Sequence, residues 1–495
     1  MSGLRIDLRF RRYSENTVAG FYSRSGLEHK RSMSNAIEPG TSTFSRGGIT
    51  ETALPARIKK WVEALTPGST ADYQTLGSAS ERMARVLVHR HLGSMQRGEL
   101  TLEEGGEINH FGGVAEATAG ESETGPRPIV AHIKVVSPAA YTAIAVNGVV
   151  GAAEAFMDGH WTAPDLVSVV RFFVANMSAL KGMDKERSLS NRLAFKVLDR
   201  CRRNSISRSR ENISAHYDLG NDFFELFLDP TMMYSAALFD CRDISLEQAS
   251  IAKLDLICRK LHLKPGDHLL EIGTGWGGMA LHAAKNYGCR VTTTTLSQQQ
   301  CAYTTRLVAE AGLNNKVNVL MKDYRELQGQ FDKLVSIEMI EAVGHQYFGA
   351  YFGKCSSLLK PNGLMAIQAI TIADQRYEQA RRSIDFIQRY IFPGGCLPSM
   401  SVIANHVASD TDMCIHSVTD MTQDYATTLR LWREAFTQKI EQVRAQGFNE
   451  RFINMWLYYL CYCEGGFTER VIGTSQIVMA KPDYRPDQNR SYCCQ

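Results

Sequence analysis

The stretch "EIGTGWGGMA", residues 271–280, sets an acidic residue just before four glycines, Gly273, Gly275, Gly277 and Gly278. The apolar run "HLL" precedes it and "LHAA" follows it. Glycines at such a turn let the backbone approach a ligand closely. A phosphate loop is excluded, because no lysine follows to meet the β/γ-phosphates. A dinucleotide fingerprint fits poorly. Its last glycine is one step out of place, and the second strand ends "TTTTLSQQQ", without the acid that would hold a ribose. The pattern E-x-G-x-G-x-G suits S-adenosylmethionine (SAM), whose cationic amino-acid portion a nearby carboxylate favours. On this reading Glu271, Gly273 and Gly275 face SAM, although a turn made for packing alone has the same pattern.

The elements that must position this turn are legible from periodicity. From about 212 to 482, strand-like runs alternate with helix-like segments: "HLLEIG", "RVTTTTL", "VNVLMK", "KLVSIEMI" and "LMAIQAITI". A last strand, "SQIVMAKP", follows a helix-rich stretch. Such alternation predicts an α/β domain, an open parallel sheet with helices on both faces. Residues 83–180 read as a smaller α+β domain. There "MARVLVHRHLG" is helical or extended, "GELTL" and "PIVAHIKVV" are strand-like, and "EATAGESETGPRP" is a loop between them. "AIAVNGVVGAAEAFMDGHW" then leads into the helical pattern "LVSVVRFFVANM".

Three further segments carry no packed-domain signal. Residues 1–75 are rich in Ser, Gly, Arg and Thr and are expected to form a disordered arm; 483–495 are expected to be a loose tail. Between the domains, 187–210 carry eight bases, among them Arg200, Arg202 and Arg203, interleaved with Leu193, Phe195, Val197 and Leu198. That linker is either a membrane-surface element attracting anionic headgroups or a solvated helix.

Composition narrows the class. A chain of 495 residues predicts two or three domains. A net charge of +3 is too mild to argue for nucleic acid. No uninterrupted run of about 18 apolar residues predicts a membrane span, and "RFRRY" near the start lacks the apolar region of a secretory signal. The 12 cysteines have no metal-site spacing, so a reducing, cytoplasmic setting with free thiols is expected and no metal site is.

The segments around the glycine turn make the reading specific. "ENISAHYDLGNDFFELFLDPTMMYSAALF" lies upstream, and "TTLSQQQ", "VSIEMIEAVGHQYF", "RRSIDFIQRYIFPGGCLPS" and "DYATTLRLW" follow in order. Together, across roughly residues 130–482, they resemble the cyclopropane-fatty-acyl-phospholipid synthases and the related mycolic acid methyltransferases. The resemblance implies a seven-stranded SAM-dependent methyltransferase sheet. It also implies that SAM alkylates the double bond of an unsaturated phospholipid acyl chain, through a carbocation that loses a proton to close a cyclopropane ring.

Site roles follow the resemblance position by position. Tyr234 and Ser235 match residues at the SAM amino-acid end. Gly273 and Gly275 match the loop glycines, Thr295, Leu296 and Gln300 the adenosine contacts, and Tyr324 the residue beside adenine. The family's base is a bicarbonate ion, cradled by a glutamate, a histidine, a tyrosine and backbone groups. Glu341 matches the glutamate, Tyr425 the tyrosine and Ile370 the residue giving a backbone N–H. Two positions depart: Gln368 stands where the histidine is expected, and Ala236 where a cysteine is. Glutamine can hold an anion by hydrogen bonds but cannot carry a positive charge or relay a proton. His345 is close enough in sequence to be considered as a substitute base. Cys463 matches a family cysteine proposed as catalytic, but an alkene nucleophile needs no thiolate, so a site-proximal or core role is expected, and Cys396 is expected to be structural.

The chemistry needs a dry site and an apolar tunnel. Tyr234, Phe239, Tyr425 and Trp432 are candidates to face the cation, and Ile384, Ile387 and Ile391 to line the tunnel. The resemblance also implies peripheral attachment to an anionic membrane surface and is compatible with a homodimer, while leaving the oligomeric state open. Three alternatives stay open: a methyl-branch or methylene-forming fatty-acid enzyme, an amine N-methyltransferase, and a non-catalytic lipid-binding protein.

Overall fold

The computed structural model describes residues 78–113, 128–179, 219–241 and 243–486. All of them belong to one compact unit, Pro67–Gln495. The expected arm 1–75, the basic linker 187–210, most of the "EATAGESETGPRP" loop and most of the tail lie outside the described residues.

The N-terminal layer starts at the helix Ala79–Leu92, a few residues before the boundary read from the sequence. Ser78 and Glu81 form a capping box there, each side chain bonding the other's backbone N–H, which fixes the helix start. The strands β1 (Gly98–Glu104), β2 (Glu107–Gly113), β3 (Val130–Val135) and β4 (Trp161–Thr162) form a sheet in the order β2-β1-β3-β4. The sequence reading left β2 out. Its signal was present, because Gly105 and Gly106 both take positive φ, at 55° and 88°, as a two-residue hairpin turn requires.

Next comes the helix Ala139–Met157, long and apolar enough by length and composition to cross a membrane, with a mean hydropathy of 1.3. Asn147 and Glu154 interrupt it, which is why no unbroken apolar run stands out in the sequence. It packs instead within the fold, against the helices Ala79–Leu92 and Glu450–Thr468. Its backbone breaks at Gly148, where φ is 59° and ψ is −132°.

The second sheet has seven strands: β5 (His268–Ile272), β6 (Arg290–Thr294), β7 (Val317–Leu320), β8 (Phe331–Ile337), β9 (Leu359–Ile372), β10 (Cys414–Asp420) and β11 (Ile472–Ala480). The order is β10-β11-β9-β8-β5-β6-β7. The ladders from β7 to β9 are parallel, and β11 enters antiparallel between β9 and β10. The chain leaves β5 for β6 on one side and later fills β8 on the other. Ligands of open α/β sheets bind at such a switch point, beyond the carboxyl ends of the strands. Only β10 was missed among these strands. Nearly every residue in it is exposed, so it has no apolar alternation to read.

One helix joins the two layers. Glu450–Thr468 packs on Thr422–Gln438 of the larger domain and on Leu166–Ala175 of the smaller. Gly465 permits that second crossing, since a Cβ there would stand 2.6 Å from Val170 Cγ1. An aromatic cluster fills the interior beside it, with the Phe223 ring 4.9 Å from Trp456 and 5.0 Å from Phe448. Polar pairs close the rim: Arg171 Nε to Glu469 at 2.7 Å and the Tyr390 hydroxyl to Glu154 at 2.6 Å.

The N-terminal layer has its own buried charge. Glu104 is 3% exposed and accepts from Arg85 Nε at 2.9 Å and from the Tyr141 hydroxyl, with His89 Nε2 at 2.9 Å. Burial alone would raise its carboxyl, but the His89, Arg85 and Tyr141 bonds outweigh it and hold the pKa at about 2. A carboxylate with a depressed folded value stabilises the fold fully above its ordinary titration near 4.5, and that contribution is lost as pH falls toward about 2. Denaturation of the wild type across this window is expected to show the loss, and Glu104→Gln to be less stable at neutral pH with a flatter acid limb.

Candidate active site

The carboxyl end of β5 delivers Glu271 and the glycine turn. Glu271 is 2% exposed and accepts from the Thr293 hydroxyl at 2.6 Å, and Thr274 Oγ1 meets Thr293 Oγ1 at 2.7 Å. Burial pushes the Glu271 carboxyl up to about 8, against the Thr293 bond and the nearby Lys253. Gly277 closes the turn with φ at 91°, where a Cβ would meet Thr304 Cγ2 at 2.7 Å, so only glycine fits. Gly275 has nothing within 4 Å of a Cβ position, which leaves backbone open to the cavity.

That cavity holds about 900 Å³ and is continuous from the glycine turn to the N-terminal layer. Of the expected SAM contacts, Tyr234, Ser235, Glu271, Gly273, Gly275, Thr295, Leu296, Gln300 and Tyr324 all line it. The Thr295 hydroxyl donates to Gln300 Oε1 at 2.8 Å, so the start of the helix Gln298–Glu310 is pinned to the end of β6. The Tyr324 hydroxyl is buried and without a hydrogen-bond partner among the described residues, a polar atom left for a ligand. Open turn backbone, a buried carboxylate and an unpartnered hydroxyl fit a SAM molecule at this end.

Of the expected catalytic residues, Glu341, Ile370, Tyr425 and Cys463 line the same cavity. Gln368 does not. It is 1% exposed, and its amide is taken up by Ala236 O, Glu338 and Gln476 instead of opening on the cavity as the sequence reading expected. The Ile370 N–H donates to Glu341 Oε1, and Glu341 Oε2 is buried without a partner. Burial, with Glu338 close by, pushes the Glu341 carboxyl up to about 8. Burial also raises the Cys463 thiol well above its ordinary value, which argues against a thiolate nucleophile. His345 is not among the cavity-lining residues, whereas Cys396 is.

The aromatic and aliphatic expectations divide. Tyr234 and Tyr425 line the cavity; Trp432 backs them, at 5.3 Å and 6.2 Å between ring centres. Phe239 is not in the lining, and its N–H is tied to Asp424 at 2.9 Å. Ile387 lines the cavity, but Ile391 is buried in the core, because the segment Ile387–Ile391 winds as a π-helical turn and breaks the 3.6-residue stripe; Ile384 does neither, since it lies before that turn and outside any helix.

Two residues escaped the sequence reading. Glu338, one residue beyond β8, accepts from the Ala236 N–H at 2.9 Å, from Gln368 Nε2 at 2.7 Å and from the Tyr425 hydroxyl at 2.7 Å. It was visible in "SIEMIEAVG" beside Glu341 but was passed over because the resemblance assigned only the second glutamate. Lys253, on the helix Leu246–Lys260, is fully buried and donates to Ser235 Oγ at 2.8 Å. Burial lowers its ammonium to about 8, opposed by the charges of Glu338, Asp229 and Glu271. Its helical neighbours gave no sign of this role.

The fold and site together define a SAM-dependent methyltransferase. Residues 204–477 match the model of the mycolic acid cyclopropane synthetase family, and the chain belongs to that family. It is 37% identical over 332 residues to the tuberculostearic acid methyltransferase UfaA1 of Mycobacterium tuberculosis, covering 65% of this chain and 76% of the relative. It is 36% identical over 368 residues to the cyclopropane-fatty-acyl-phospholipid synthase of Escherichia coli K12, covering 73% and 91%. Among solved structures, the cyclopropane synthase MmaA2 from Mycobacterium tuberculosis superposes with a TM-score of 0.52 at 33% identity, over 55% of this chain and 98% of that one. The mycolic acid cyclopropane synthase CmaA1 complexed with SAH and CTAB gives 0.52 at 34% identity, over 55% and 98%.

Lys253 is the site's buried cation, and removing it strands carboxylates in a low-dielectric interior. Breaking such a grouping costs about 3 kcal/mol or more. Lys253→Met is expected to lose stability of that order in denaturant unfolding and to bind SAM more weakly in calorimetry.

Proposed function

We infer that this protein transfers a one-carbon unit from SAM to the double bond of an unsaturated phospholipid acyl chain, forming a cyclopropane. The observation that carries this reading is the continuity of the cavity. One wall is the glycine turn; the other is apolar and built by Val88, Leu92, Leu102, Ile133, Val169 and Phe173 of the N-terminal layer. A ligand with a long hydrocarbon chain fits such a wall. When bound, SAM supplies an electrophilic methyl group on a sulfonium.

The residues of the chain do the rest. Glu271 and the turn backbone hold the cofactor's amino-acid end. Tyr234 and Tyr425 line the cavity, where a cation–π contact to the cationic centre is worth about 0.5–2 kcal/mol each. The apolar wall excludes water that would quench a carbocation. The bicarbonate implied by the sequence resemblance fits poorly, since Ala236 N–H, Gln368 and Tyr425 are bonded to Glu338 and Ile370 N–H to Glu341. No step is routed through it.

A second reading, methylene or methyl-branch formation on a fatty acyl chain, is favoured by one relative's name, a tuberculostearic acid methyltransferase, and by the departures at Gln368 and Ala236. Incubation with SAM and an unsaturated phospholipid is expected to release S-adenosylhomocysteine and give an acyl chain one CH₂ heavier. Oxidative cleavage of the product then decides. A cyclopropane resists it, a methylene yields fragments, and a methyl branch resists it but carries two further hydrogens.

Access from a membrane is supported at the Gly148 break. Gly148 and Val149 line the cavity, and Val146 and Val149 are 67% and 55% exposed. Exposed valines at a cavity edge suit contact with lipid. The double variant Val146→Glu/Val149→Glu is expected to bind phospholipid vesicles more weakly in flotation while binding SAM as the wild type does. Unchanged flotation would discard this edge as the membrane contact.

A further inference from the structure

Glu338 has a backbone φ of 49°, in the left-handed region. A side chain there carries strain of roughly 1 kcal/mol or more. What the strain places is a carboxylate in the cavity wall, with donors from three separate elements converging on it. The next residue, Met339, packs on the cofactor turn: its Cγ lies 3.3 Å from a Cβ position on Gly273.

The backing of this carboxylate is oriented. Gln368 gives its amide N–H to Glu338, and its Oε1 accepts from Gln476 Nε2 at 3.1 Å. Gln476 Oε1 in turn accepts from Lys260 Nζ at 2.9 Å. An ammonium only donates, so Lys260 fixes the polarity of both amides and keeps Gln368 turned donor-first toward Glu338. A glutamine suffices at that position because it serves a resident anion and need carry no charge.

We propose that Glu338 is the general base of the reaction, a carboxylate built into the chain in the seat where a dissolved bicarbonate would otherwise act. The proposal rests on the alkene C-methylation read above. The alkene π pair forms a C–C bond to the SAM methyl carbon as the C–S bond breaks, its electron pair leaving with sulfur. The neighbouring carbon is left cationic. Glu338 takes a proton from the added methyl, and the freed C–H pair forms the third ring bond. The protonated carboxyl then returns its proton to solvent as product leaves. Burial raises the Glu338 carboxyl above the ordinary range, against its three donors and Lys253, which makes it a stronger base than an exposed glutamate.

The test uses the full-length protein, SAM and dioleoylphosphatidylglycerol vesicles, in carbon-dioxide-stripped buffer with and without added bicarbonate. S-adenosylhomocysteine release and lipid mass are both read. The wild type is expected to turn over equally in both buffers. Glu338→Gly is expected to lose about 100-fold or more in kcat without bicarbonate and to regain activity when bicarbonate fills the vacated seat. Glu338→Gln is expected to lose as much and not to be rescued, because its amide still fills the seat. A wild type that slows in stripped buffer overturns the proposal, as does a fully active Glu338→Gly there. Should the variants fail to fold, the wild-type comparison decides alone. A wild type that releases no S-adenosylhomocysteine in either buffer removes the underlying lipid reading, and the base assignment with it.

Discussion

The buried ammonium of Lys253 is the charge on which the site depends. Glu271, Glu338 and Asp229 all feel it, and among the described residues it donates to Ser235 beside the cofactor end of the cavity. A cavity dry enough to shelter a carbocation also penalises every carboxylate in its wall. One cation at full burial offsets part of that penalty without opening the wall to water. Its own raised cost of burial, seen in the lowered ammonium pKa, is compensated by the same carboxylates. Cofactor turn and reaction end are thus electrostatically one assembly, although they come from the ends of different strands.

The helix Glu450–Thr468 makes the two layers one assembly mechanically. It supplies Tyr458, Tyr459, Tyr462 and Cys463 to the cavity, and it packs on helices of both layers. The Tyr459 hydroxyl meets that of Tyr234 at 2.9 Å. The apolar layer is therefore fixed against the methyltransferase sheet by the same element that completes the reaction end.

Much of this was legible in the sequence for a physical reason. The buried strands β5 to β9 and β11 are apolar runs bounded by turns, and a left-handed glycine turn needs glycine, so both leave a direct mark. The residues expected to contact SAM share one cavity because they sit on that turn and its neighbours. Strand β10 was lost because an exposed edge carries no pattern. The reaction end was read incompletely because its logic is three-dimensional. Glu338, Gln368, Gln476 and Lys260 lie far apart in sequence, and nothing in their spacing shows that they form one line of hydrogen bonds. Gln368 alone looked like a loss of function; with Glu338 in place it is a matched partner. The aliphatic stripe failed at Ile391 because a π-helical turn shifts register, which no count of residues reveals.

The left-handed backbone at Glu338 has a consequence for how such a chain can evolve. Glycine would relax that strand end but remove the carboxylate, so one substitution there exchanges charge in the wall for stability. A chain that holds its own carboxylate is also indifferent to the supply of a third small solute. With Glu338 as the base, turnover would follow the lipid and the methyl donor alone, whatever the gas tension or acidity does to dissolved carbonate around it.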